Sequence, residues 1–100
     1  MSSGGNAVSR ILPSDVTIRN AMGLAIDEDK PILLDYWPDS LTNACCIGVR
    51  ESTKEKILVK SSDAYTSCIS KILKSGDEFI IMTENSIYIV SKNIKPRKIT

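Results

Sequence analysis

The residues with the most obvious chemical potential are carboxylates. Asp27, Glu28, Asp29, Asp35 and Asp39 lie close together in the chain, and a pair of carboxyl groups can shuttle a proton or hold a hard cation. Their spacing argues against either role. Asp27-Glu28-Asp29 lacks the ligand spacing of a calcium loop and reads as a solvated charge run. Asp35 stands in an apolar stretch beside Tyr36 and Trp37, where it marks the outward face of a strand. The chain contains no histidine, so neither a Ser/His/Asp nor a Cys/His arrangement can be built.

Cys45 and Cys46 are adjacent and Cys68 is alone. Without a C-x-x-C pair or a histidine they make a poor zinc site, and a Cys45–Cys68 or Cys46–Cys68 disulfide would need an oxidising setting. They read as reduced, small hydrophobic residues. No glycine-rich phosphate loop is present. Catalysis, a metal and a cofactor are therefore not expected, and the chain reads as a non-enzymatic module.

Two other groups could recognise a partner. Tyr36, Trp37 and Pro38 form the one aromatic cluster; such residues serve as buried anchors or as binding hot spots. Charge is uneven. Residues 1–91 hold nine cations against twelve carboxylates, whereas 92–100 carry Lys92, Lys95, Arg97 and Lys98 and no acid. A basic segment can contact nucleic-acid phosphates, but without interleaved aromatics a solvated tail is the simpler account.

These groups are positioned by one domain of 100 residues, 42% hydrophobic and 25% charged, values ordinary for a globular chain. No apolar run reaches the ~18–20 residues of a membrane span, and the N-terminus lacks the charged start and apolar middle of a signal peptide. A cytoplasmic location is expected. Residues 1–12 read as a mobile arm. Ser14 is a helix N-cap, and Ile18, Ala21, Met22 and Ala25 form an apolar helical stripe that Leu24 and Ile26 widen. Gly23 reads as a close-packing point within the helix, which Lys30-Pro31 terminates.

The period then changes to two. Strands are predicted over 32–37, 44–51, 56–60, 66–74, 78–83 and 86–91, with turns at Ser61-Ser62-Asp63, Ser75-Gly76-Asp77 and Glu84-Asn85, the last using the tolerance of Asn for positive φ. Short connections imply antiparallel pairing. The expected class is α+β: one N-terminal helix on a curled antiparallel sheet of about six strands, a meander with scope for partial barrel closure, spanning 13–91 and followed by a basic tail 92–100.

Alternation places Cys45, Ile47, Val49, Ile57, Val59, Phe79, Ile81, Ile87 and Ile89 on the core face. The opposite face is not polar: Leu58, Ile80, Met82, Tyr88 and Val90 fall on it. Either the helix and the curl of the sheet cover that face, or part of it meets a partner. The second reading makes Tyr36, Trp37, Leu58, Met82 and Tyr88 the candidate partner-binding residues, for a protein partner or a second copy. Nucleic-acid binding through Lys92, Lys95, Arg97 and Lys98 is the alternative.

The segment KILKSGDEFIIMTENSIYIVS (71–91), with DKPILLDYW (29–37), resembles small uncharacterised proteins of large cytoplasmic DNA viruses. That resemblance carries no activity or site residues with it. It implies a virion-associated or host-interacting role.

Overall fold

The computed structural model describes residues 11–99. Helix α1 (Asp15–Glu28) leads into strand β1 (Ile32–Leu33) and a short helix α2 (Trp37–Leu41); seven strands follow, β2 (Cys46–Arg50), β3 (Lys56–Ser61), β4 (Ala64–Tyr65), β5 (Ile69–Ser75), β6 (Glu78–Thr83), β7 (Ile87–Ser91) and β8 (Pro96–Ile99). The class is α+β, as expected, but the single curled sheet is replaced by two four-stranded sheets. Their orders are β1-β7-β6-β5 and β4-β3-β2-β8. We call them sheet A and sheet B.

The meander holds locally. β5–β6–β7 and β2–β3–β4 are antiparallel runs. Each sheet is then extended by one parallel pairing that hairpin-length connections do not suggest: β1 with β7 and β2 with β8. The supposed basic tail therefore contains a strand, and Ile94, just before it, is 5% exposed within the core. Residues 1–10 of the expected arm lie outside the described residues.

Sheet A is the middle layer, which explains the apolar residues on both its faces. Phe79, Ile81, Tyr88 and Val90 pack with Ile47 and Leu58 of sheet B. Ile80, Met82, Ile87 and Ile89 pack with Ala21, Leu24 and Ala25 of α1. A strand covered on both sides reads as a near-continuous apolar run rather than an alternation. The single predicted core face is corrected accordingly: Ile87 and Ile89 face the helix, Leu58 faces the inter-sheet core opposite Ile47, and Ile57 and Val59 take the other side of β3.

Local corrections have local causes. The strand predicted over 32–37 stops at Leu33, because Pro38 occupies the first turn of α2, where its missing N–H costs nothing. The turn predicted at Ser61-Ser62-Asp63 is present, but it closes a tight hairpin onto β4, a strand not predicted, with Ser61 opposite Ala64. At Thr83–Ser86 the Asn85 φ is not positive; the Thr83 hydroxyl instead accepts from the Ser86 N–H at 3.2 Å and holds the turn.

Helix α1 also differs from its predicted stripe. Met22 and Ile26 are 53% and 80% exposed, and the buried line runs through Thr17 and Ala21. Ser14 is at the N-cap, but its side chain does not cap the helix. It donates to Glu78 Oε1 at 2.7 Å, while the Thr17 hydroxyl reaches the Ser75 carbonyl at 2.8 Å and the same carboxylate oxygen. Asn20 Nδ2 donates to Ser75 Oγ at 3.1 Å. The first turns of α1 are thereby tied to the β5–β6 hairpin, whose tip uses Gly76 at φ 58, a conformation glycine adopts at no steric cost.

Candidate functional site

The structure takes the aromatic and second-face candidates out of contention as surface. Tyr36 and Trp37 are each 6% exposed, Leu58 is 0% and Met82 4%, and Tyr88 is half-buried. Tyr36 and Tyr88 meet edge-to-face with ring centroids 5.5 Å apart, and Lys60 Nζ stands 4.7 Å from the Tyr36 ring centroid. Trp37 Nε1 donates to the Ile11 carbonyl at 3.0 Å, so its polar edge is satisfied inside the fold. These residues are the core between and beside the sheets. Burial pushes the Tyr36 phenol up to about 12, with the negative forms of Tyr88, Cys45, Asp35 and Asp39 adding to the effect.

Asp35 is exposed. Asp39 is held by Lys60 at 3.0 Å. Among the described residues no group of three His, Cys, Asp or Glu side chains is arranged to hold a metal ion. The three cysteines are free thiols: Cys45 buried, Cys46 half-buried and Cys68 exposed. Desolvation pushes the Cys45 thiol up to about 11, with the nearby Asp39 adding to the effect. A thiol so placed is a poor nucleophile at neutral pH. Among the described residues no helix is long and apolar enough to cross a membrane.

What the fold leaves open is an edge. β5 is the last strand of sheet A and pairs only with β6, so one side of its seven-residue backbone has no strand partner among the described residues. A groove flanks it on each face. On the helix side, a space of about 440 Å³ runs between α1 and β5, lined by Arg19, Gly23, Leu24, Asp27, Leu73 and Lys74. On the sheet B side, a space of about 330 Å³ is lined by Lys54, Glu55 and Lys56 with Ile69, Lys71 and Ile72. Together these linings hold five cations, Arg19, Lys54, Lys56, Lys71 and Lys74, against Asp27 and Glu55.

Gly23 belongs to this surface rather than to the packing assigned from sequence. A Cβ built on it meets nothing within 4 Å. The edge is not evident from sequence because a meander places the strand over 66–74 between two hairpin neighbours. A signal is nonetheless present: Lys71 and Lys74 fall within a strand that has only Ile69, Ile72 and Leu73 as apolar residues, and lysines are a common mark of an edge guarded against like strands.

The basic residues are divided by the fold. Lys92 pairs with Asp77 at 3.3 Å and does not join the others. Lys95, Arg97 and Lys98 line a groove of about 620 Å³ at sheet B together with Lys60, Cys46, Val59 and Ile99. Comparison of the chain with protein-family profiles, with curated proteins and with solved structures returned no match.

Proposed function

We propose that the protein is a non-enzymatic interaction module that captures an extended, acidic segment of a partner protein along β5. The observation that carries this reading is an unpaired seven-residue edge with a groove on each face. A peptide added to a sheet edge gains main-chain hydrogen bonds, and its alternating side chains fall on both faces of the sheet. Leu24 and Leu73 offer apolar contact on the helix side, and Ile69 and Ile72 offer it on the other. The excess of cations favours acidic residues in the bound segment and slows dissociation less than it speeds encounter.

A second copy is the poorer occupant. Two β5 edges paired with each other would bring Lys71 and Lys74 of one copy against the same cations of the other, and like charges across a strand pair are destabilising. The virion-associated or host-interacting setting suggested by the resemblance is compatible with this reading and adds no residue to it.

The test is selection of extended peptides from a displayed random library against the folded protein. The expected peptides are acidic, protect the amides of β5 from hydrogen exchange, and lose binding on Gly23→Leu. That variant fills the helix-side groove at a position that contacts nothing in the core. Peptides that leave β5 unprotected, or that bind Gly23→Leu unchanged, refute the edge. A concentration-dependent dimer by light scattering would transfer the edge to self-association.

A further inference from the structure

Strand β8 turns three cations of the C-terminal segment into one side of a built groove. Lys95, Arg97 and Lys98 come from β8 and the residue before it, Lys60, Ser61 and Ser62 from the end of β3 and its turn, and Asn43 from the loop before β2. The lining contains four cations and no carboxylate. Two of the four are partly spent: Lys60 on Asp39 at 3.0 Å and Lys98 on Glu51 at 3.5 Å. Lys95 and Arg97 are exposed and make no ion pair among the described residues.

We infer that this groove binds the phosphate backbone of a nucleic acid, independently of the edge at β5. An arginine fork beside lysines, with hydroxyl and amide donors opposite, matches phosphate oxygens. An acidic peptide is the less favoured ligand. It would need the free edge of β8 for a hydrogen-bond ladder, yet β8 has only four residues and begins with Pro96, which has no N–H to give. No aromatic side chain lines the groove, so bases are not stacked and binding is indifferent to sequence. With two to four phosphates neutralised, log K against log salt has a slope of about −1.4 to −2.8 for a single strand.

The experiment is fluorescence anisotropy of labelled oligo-dT, longer than the ~4–16 nucleotides a small β fold covers, titrated with the full-length protein at several salt concentrations. Substitution is preferred to truncation, because removing 92–100 would also remove buried Ile94 and the partner of β2. The wild type is expected to bind at low salt with the slope given above. Lys95→Ala/Arg97→Ala is expected to bind more weakly, with the slope shallower by about 1.4 and circular dichroism unchanged. Absence of binding at low salt overturns the inference, as does a slope the double variant leaves untouched. Equal competition by poly-glutamate overturns the nucleic-acid assignment.

Discussion

Replacing Thr17 with valine is the sharpest probe of how the helix-side groove is held. Thr17 is 0% exposed, and its one hydroxyl proton serves the Ser75 carbonyl and the Glu78 carboxylate, while its oxygen lies 3.0 Å from Ser14 Oγ, which is directed at it. Glu78 is itself 7% exposed, and no ion pair reaches it among the described residues. Valine keeps the β-branch and the volume but removes the donor. A hydrogen bond to a charged group is worth about 1.5–3 kcal/mol, and a buried acceptor left short of a partner costs in the same range. We expect Thr17→Val to lose about 2 kcal/mol, which lowers Tm by roughly 8–16 °C in a domain of this size. Thr17→Ser, which keeps the hydroxyl and loses a methyl, should cost about 1 kcal/mol. Urea unfolding followed by the fluorescence of Trp37, the one tryptophan, measures both. In a cycle with Glu78→Gln the two sites should couple by more than about 0.5 kcal/mol. A loss below about 0.5 kcal/mol for valine, or a serine variant weaker than valine, would refute the reasoning.

Two further outcomes rest on burial. The phenol of Tyr36 and the thiol of Cys45 ionise at about 12 and about 11 in the folded protein, raised from ordinary values of 10.0 and 9.0. Because each neutral form is favoured in the folded state, their contribution is complete below the ordinary values. It is lost as pH rises through 9–11 for Cys45 and 10–12 for Tyr36. Urea midpoints should therefore fall across that alkaline window, and Tyr36→Phe should blunt the upper part of the fall. With a thiol-specific reagent at neutral pH, Cys68 should react first, Cys46 more slowly, and Cys45 only at the rate of unfolding; prompt labelling of Cys45 would contradict its place in the core.

The local structure was readable from sequence where the cause was local. Pro31 ends α1, the two residues Gly76 and Asp77 connect β5 to β6, and β6 has the predicted limits because its apolar run is bounded by turn residues on both sides. What lay outside reach depends on partners far away in the chain. The parallel pairings of β1 and β8 leave no periodic mark, and a two-residue strand has no period at all. The double-sided apolar pattern of β6 and β7 was visible, but pattern alone does not tell a partner surface from a middle layer; the two faces are settled by α1 on one side and sheet B on the other. Likewise the cations at 95, 97 and 98 were legible as charge, whereas their meeting with Lys60 needed the strand at 96–99.

The two parallel pairings also fix an order of events. Ile32 pairs with Ile87, and Ile47 with Pro96, across about fifty residues of chain. The hairpins β2–β3 and β5–β6 can form from neighbours, but each sheet acquires its last strand only after a long loop is closed, and that entropy is lost before the contacts repay it. Until β8 arrives, β2 presents an open backbone edge of its own, including Gly48, where any side chain would clash with Ile99 and Val59 in the finished sheet. In a chain made from its N-terminus, sheet B is expected to hold three strands and an open β2 edge until residues 96–99 join it. Slow folding and sensitivity to aggregation at that stage follow from the connectivity alone.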